Sequence, residues 1–580
     1  MSFVARLKWF FKQQWLRYTI AITLIASVSM LTVIPPKLIG DTVDLIRSDS
    51  LTQSELREKV LILIGLALLL YIMVFTWITT LFGNSALLEK LVRGRLLAHM
   101  SRMTPGFYQR NSTGQLMALA SNDVLAVGQT AGYGVMTLVN TVVGASVVMI
   151  SMISLISWKL MVAALIPMPL LVLVITVLGR QIRDRFTKAQ DSFGRMNDQA
   201  LESISGIRVI RSYVQEDEDV NAFDRVTDDV IHQNQRVALI HSLFQPIISL
   251  IVGLSFTIGI GYGAYLVMEE VISLGELISF NLYLGMLIWP MISFGEFINV
   301  LQRGTASAAR IDEAFMQEAD VQDDAHPVDV KEPTSIEMKH LSFRYPGAQR
   351  DSLTDVSFRL EKGQTLGIVG KTGSGKTTLL KQFLRQYRLD EDSLFISEVA
   401  AERIEMEIVK SWMSYVPQEH LLLSKTIREN ICLGKPHATD EQVNRVIEMA
   451  SLAKDISQMP KGLNTLVGEH GVMLSGGQKQ RVSIARALLM HADILILDDC
   501  LSAVDAKTES HILEHIRRER VGKTTLIAAH RLSSVSHADW ILVLDQGRVI
   551  EEGTHEELLF HNGWYKQQWD IQQMEASLQE

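Results

Sequence analysis

The sequence predicts a membrane protein of two parts, a six-helix all-α transmembrane domain followed by an α/β domain of the P-loop class. Three observations lead there. Of the 580 residues 48% are hydrophobic and 21% are charged, a mixture expected of one apolar domain joined to one ordinary soluble domain, and the length exceeds what a single core supports. Six predominantly apolar stretches of membrane-crossing length occupy the first half of the chain. The second half carries Gly370-Lys371-Thr372-Gly373-Ser374-Gly375-Lys376-Thr377-Thr378 between an apolar run, Thr365 to Val369, and the helix-like Leu379 to Tyr387.

The spans come first. Tyr18 to Ile39 reaches the roughly 20 residues that a helix needs to cross a hydrocarbon core. Val60 to Phe82, Gly134 to Ser157, Leu160 to Leu178, Phe244 to Met268 and Leu274 to Val300 follow. Gly, Ser, Asn and Pro inside several of them suit close helix packing in lipid. The basic start, Arg6, Lys8, Lys12 and Arg17, leads into an apolar run long enough to stay in the bilayer, so no cleavable signal peptide is expected. That start, and the segment holding Lys90, Arg93, Arg95, Arg102 and Arg110, should face the cytoplasm, as should the C-terminal half. The acidic turn at Glu269-Glu270 should lie outside. A lone carboxylate in the last span, Glu296, either faces a water-filled cavity, where it would attract cations, or sits hydrated near the helix end.

Two long charged connections, Gly83 to Tyr133 and Arg180 to His241, read as spans continued into the cytoplasm as helices. Their expected reversals are Phe107-Tyr108 with Thr113-Gly114, and Glu202 with Gly206 to Ile210, each equally compatible with a plain solvated helix-turn-helix. An acidic, Pro-containing linker over residues 317–335 then separates a membrane domain, 1–316, from a soluble domain, 336–580. Net charge of −9 gives no basis for nucleic-acid binding. The two cysteines, Cys432 and Cys500, both lie in the soluble half, which fits a reducing compartment without disulfides.

In the soluble half the Gly-rich segment is a strand, a loop and a helix in the order that cradles phosphates. Backbone N–H groups turn inward around phosphate oxygens, Lys376 supplies a charge near the β- and γ-phosphates, and Thr377 offers a hydroxyl to Mg²⁺. Tyr345 ends a strand-like run, from which an aromatic either stacks on an adenine ring or simply packs. Gln418 ends another, placed to orient a metal-bound water or sense the γ-phosphate. Ser475-Gly476-Gly477-Gln478, after Leu474, opens a helix whose N-terminus is a second phosphate-binding surface. The apolar run Ile494 to Leu497 delivers Asp498 and Asp499 to a strand end, the first to hold Mg²⁺ through water, the second to face an attacking water. Asp505 follows in a short polar turn, and His530 closes one more strand.

These motifs in this order resemble the ATP-binding cassette exporters over nearly the whole length, with membrane and nucleotide-binding domains fused in one half-transporter. The resemblance implies ATP and Mg²⁺ as ligands. It makes Tyr345 the adenine-stacking aromatic, Gly370 to Thr378 the Walker A loop, Gln418 the Q-loop glutamine and Leu474 to Gln478 the signature. Asp498 becomes the Walker B aspartate, Asp505 the D-loop residue, His530 the switch histidine, and the reversals coupling helices.

One position departs from the family. The residue after the Walker B aspartate is usually a catalytic glutamate, and here it is Asp499, one methylene shorter. A general base must come within about 2.6–3.2 Å of its water, and a misplacement of this order costs about a hundredfold in rate. With the signature intact, the chain is similar to the degenerate-site halves of bacterial heterodimeric multidrug exporters, the BmrC or MdlA type. That likeness implies ATP-driven export of amphipathic or cationic compounds across the bacterial inner membrane, with membrane lipid around it and a homologous half as partner. A homodimeric lipid flippase, or an ATP-gated channel or regulator, is the alternative on the same cassette.

Overall fold

The computed structural model describes residues 3–468 and 474–577, which fall into two compact units, Met1–Ser101 with Thr113–Gln317, and Arg102–Ser112 with Glu318–Glu580. The first unit is all helix. Its principal helices are α1 (Trp15–Arg47, with a turn at Thr32-Val33), α2 (Gln53–Met100), α3 (Thr113–Leu155), α4 (Trp158–Leu165), α5 (Met168–Ser212), α6 (Glu216–Met268) and α7 (Leu274–Met316). Two start on capping boxes that answer their first orphan N–H groups: Thr52 with Glu55 before α2, and Ser273 with Glu276 before α7.

Among the described residues α1, α2, α3, α6 and α7 are long and apolar enough to cross a bilayer. The expected fourth span, Leu160 to Leu178, is divided instead. Pro167 cannot donate a backbone hydrogen bond, and the turn at Ile166-Pro167 separates α4 from α5. The six expected apolar segments are all present as helix, with turns dividing the first at Thr32-Val33 and the fourth at Ile166-Pro167. The second reversal also lies later than expected: α5 runs through Gly206 to Ser212, and the chain turns at Tyr213 to Gln215, where Val214 takes φ +54°.

Small residues bring α1 and α7 together. A Cβ on Gly40 would lie 2.4 Å from the Gly275 carbonyl oxygen, and this approach lets Ser279 Oγ donate to Pro36 O at 2.9 Å and the Tyr283 hydroxyl to Val33 O at 2.8 Å. Along α3 three π-type turns, at Leu119–Asp123, Thr130–Gly134 and Asn140–Gly144, shift the register of the helix. The second carries Tyr133, whose hydroxyl donates to the Glu296 carboxylate on α7.

The second unit is α/β. Its central sheet has the order β10-β9-β3-β8-β7-β6, built from β3 (Thr365–Gly370), β6 (Met413–Val416), β7 (Ile494–Asp498), β8 (Thr524–Ala528), β9 (Trp540–Asp545) and β10 (Arg548–Gly553). All pairs are parallel except the β9–β10 hairpin. Buried on both faces, β7 and β8 read as continuous apolar runs, as parallel strands must. A smaller antiparallel sheet holds β1 (Ser335–Phe343), β2 (Leu353–Glu361), β4 (Leu394–Ile396) and β5 (Val399–Ala400). The first expected reversal belongs to this unit as the short helix Pro105–Arg110, with Phe107 1% exposed. Gln109 Nε2 donates to the Tyr387 hydroxyl at 2.9 Å, and Arg110 meets Asp320 at 3.0 Å.

Candidate active site

The C-terminal ends of β3, β7 and β8 converge, the edge at which a parallel sheet presents its ligands. After β3 the chain needs backbone conformations that only glycine holds without strain: Gly370, Gly373 and Gly375 take φ of +147°, +81° and +105°. Gly375 caps the N-terminus of α8 (Lys376–Phe383), and a Cβ there would lie 2.8 Å from Ser352 O. The Lys376 side chain folds back over the loop, its ammonium donating to Gly370 O at 2.9 Å and Lys371 O at 3.1 Å. Burial holds its pKa below the ordinary lysine value, against the pull of the nearby Asp499 and Asp498 carboxylates. Ser374 Oγ is buried without a hydrogen-bond partner among the described residues. A buried lysine ammonium and an unanswered hydroxyl on a loop of positive-φ glycines suit phosphate oxygens.

Asp498, 1% exposed at the end of β7, accepts from Thr377 Oγ1 at 2.8 Å and from the Tyr415 hydroxyl at 3.0 Å. Burial raises its pKa, and the two hydrogen bonds oppose that rise. Asp499 begins the next turn at φ +45°, its N–H bonded to Ala528 O at 2.9 Å, its carboxylate 3.9 Å from His530 Nε2. Burial pushes this carboxyl upward too, opposed by His530 and Lys376. The cavity over the loop measures about 550 Å³ and gathers Thr372, Gly373, Gly375, Thr378 and Gln418 with Ser374, Lys376, Thr377, Asp498, Asp499 and His530. A hydroxyl and a carboxylate 2.8 Å apart beside it form a donor set that fits Mg²⁺.

Over 573 residues, 99% of this chain and 98% of the other, the sequence is 51% identical to a Bacillus subtilis (strain 168) protein described as "Probable multidrug resistance ABC transporter ATP-binding/permease protein YheI". The chain belongs to the ATP-binding cassette (ABC) transporters. Residues 18–291 match the family's transmembrane region and residues 353–502 the ABC transporter domain. "Multidrug resistance-like ATP-binding protein MdlA" of Escherichia coli (strain K12) is 38% identical over 578 residues, 100% of this chain and 98% of its own. Among solved structures, "Structure of a bacterial Atm1-family ABC exporter with ATP bound" superposes with a TM-score of 0.80 over 97% of this chain and 98% of that one, at 23% identity, a likeness of fold. This ABC transporter binds ATP and is an ATPase whose hydrolysis is coupled to transport across a membrane.

Other expected site residues lie outside the cavity. The Tyr345 ring is held edge-on by Phe343 and Tyr387 at centroid distances of 5.0 and 5.2 Å, and its hydroxyl meets Thr378 Oγ1 at 3.1 Å. Ser475 N-caps α9 (Gly476–Leu489) in a capping box with Gln478, whose Oε1 accepts from Ser475 N at 3.0 Å and whose Nε2 donates to Asp455 at 3.0 Å. Gln478 is thereby committed inside its own domain, while Ser475 and Gly476 are exposed and Gly477 lies against Ala503. Asp505 caps α10 (Ala506–Glu519) by accepting from Thr508 N at 3.0 Å. Lys371 points to solvent and contributes its carbonyl. The structure adds Tyr415 to the Asp498 cluster, and Arg350, Asp351 and Gln546 to the cavity wall. No local pattern marks these, although a tyrosine two residues before the Pro417-Gln418 turn was an available signal for the first.

Proposed function

We propose that this ABC transporter exports amphipathic compounds, cations among them, across the bacterial cytoplasmic membrane as one half of a heterodimer, with its termini in the cytoplasm. Its own ATP site turns over slowly in this reading. The observation that carries the dimer is the separation of the two phosphate-binding surfaces: Ser475 and Gly476 present an exposed helix N-terminus and line no part of the loop's cavity. In a head-to-tail pair each ATP lies between one chain's loop, Gly370 to Thr378, and the other chain's signature, Leu474 to Gln478. The α5–α6 turn and the end of α5 before it also support a second chain, because they expose Ile204, Tyr213 and Val214 at 73%, 74% and 80%, apolar surface that an isolated protomer would leave in water. The names carried by the relatives, multidrug resistance in both cases, support the substrate class.

In the chemistry, a water oxygen attacks the γ-phosphorus, the bond to the β,γ-bridging oxygen breaks, and ADP and phosphate leave. Lys376 and the loop N–H groups bind the phosphates, Thr377 and Asp498 would hold Mg²⁺, and Gln418 and His530 face the γ-phosphate end. Bound Mg²⁺ neutralises charge developing on the phosphate oxygens. The water's proton passes toward Asp499, whose shorter reach than glutamate makes that transfer inefficient.

Purification of the tagged chain from its native membrane tests this reading. A homologous half carrying glutamate after its Walker B aspartate should co-purify, and the chain alone should show under about a tenth of the complex's turnover. Full ATPase and transport from the chain alone would overturn it in favour of a homodimer.

A further inference from the structure

His530 lies two residues beyond the end of β8, and the turn that carries it is held from two sides. On one side stands Glu509 of α10, 4% exposed, which accepts from Arg531 Nη1 at 2.5 Å and from the Ser534 hydroxyl. On the other stands the C-terminal helix α11 (Trp564–Ser577), where a single side-chain amide makes both contacts. Gln572 Nε2 donates to His530 O at 3.0 Å, and Gln572 Oε1 accepts from Leu532 N at 2.9 Å. One rigid planar group thus fixes the carbonyl of the histidine and the N–H two residues on, directly behind a ring that stands 3.9 Å from Asp499.

The helix does not depend on these bonds for its own docking. Tyr565 is fully buried with its hydroxyl 2.8 Å from His555 Nδ1, and Trp569 meets the His555 ring at 4.6 Å. Gln572 lies about two turns beyond Tyr565 and is half-buried. Its donor and acceptor are both directed at the backbone of the turn that presents an imidazole to the cavity. Misplacing a positioned catalytic group by about 1 Å is worth up to about a hundredfold in rate, whereas substrate affinity, set by Lys376 and the loop, is untouched by it.

We propose that Gln572 is a positioning residue for ATP hydrolysis, holding the His530 turn in register from the C-terminal helix at this chain's own nucleotide site. The inference rests on the role given to His530 and on the heterodimer proposed above. The test uses the full transporter complex with the partner's catalytic glutamate changed to glutamine, so that residual turnover reports this chain's site. Gln572→Met keeps the length and removes both bonds, and Gln572→Glu keeps an acceptor for Leu532 N–H while setting an oxygen against His530 O. Both variants should lower residual kcat about tenfold, with KM for ATP moving less than about twofold. In Gln572→Met, backbone amides 530–534 should exchange hydrogen faster while those of β3 do not. Unchanged exchange in that turn overturns the strap itself. Faster exchange with unchanged kcat overturns the catalytic consequence and places the failure in the role of His530. Equal losses in kcat and in ATP affinity, or faster exchange throughout the domain, also overturn the inference, since they are what general destabilisation gives.

Discussion

Asp499 combines a left-handed backbone at φ +45°, a side chain 14% exposed and a carboxyl whose pKa burial raises. A carboxyl with a folded value above its unfolded value near 3.9 binds its proton more tightly in the native state. The native state is therefore favoured at low pH and loses that advantage as pH rises through the folded value. Asp499→Asn removes the cost of the buried charge and keeps a residue type that tolerates the left-handed region. Thermal unfolding of the nucleotide-free protein should show a higher Tm for Asp499→Asn at pH 7 and no difference near pH 3. A lower Tm at pH 7 would mean that the carboxylate is paired, not exposed to a desolvation cost. The same shift bears on catalysis, because a base must be ionised and turnover at this site should rise with pH through the raised value. At Glu296 the neighbour is Tyr133, a donor from the other helix. Glu296→Gln should weaken transport of cations more than of neutral compounds, measured side by side in vesicles; equal losses would remove the charge-reading role.

Elements explain which parts of this site could be read from residues alone. The loop after β3 was legible because its demands are local: glycines at positive φ, a lysine and a threonine opening a helix. Gly375→Ala should test that demand, since it adds a Cβ at φ +105° and 2.8 Å from Ser352 O. It should cost about 1–3 kcal/mol in stability and most of the ATP binding, measured by unfolding and by nucleotide titration. A variant that binds ATP normally would show that the loop relaxes around the methyl group. Gln478 and Asp505, expected as nucleotide contacts, also cap helices within this chain, and Ser475-x-x-Gln478 is itself a capping-box pattern. Hydropathy averages over the turn at Ile166-Pro167 that divides the fourth span, and a proline alone does not announce such a break, since Pro246 and Pro290 lie inside the continuous α6 and α7. Tyr415 on Asp498 and Tyr133 on Glu296 join residues 83 and 163 positions apart, distances at which no periodicity informs.

At the scale of the whole molecule, the order of domains was visible in composition, but residues 102–112 belong with the C-terminal unit and not with their sequence neighbours. Contacts such as Gln109 with Tyr387 decide that, and they span 278 positions. In the proposed head-to-tail dimer the chain carries halves of two different sites: its signature would serve the partner's ATP, while Asp499 would face the ATP on its own loop. Asymmetry between these sites is the central claim, and one comparison in the purified complex tests it most directly. Turnover is measured for Asp499→Asn in this chain, for glutamate to glutamine in the partner, and for Ser475→Arg, which blocks the signature that serves the partner's ATP. The account predicts near-abolition by Ser475→Arg and by the partner's change. Asp499→Asn should cost at least about tenfold less than the partner's change, roughly 1.4 kcal/mol in barrier. Comparable losses from Asp499→Asn and from the partner's change would contradict it and leave two equivalent sites.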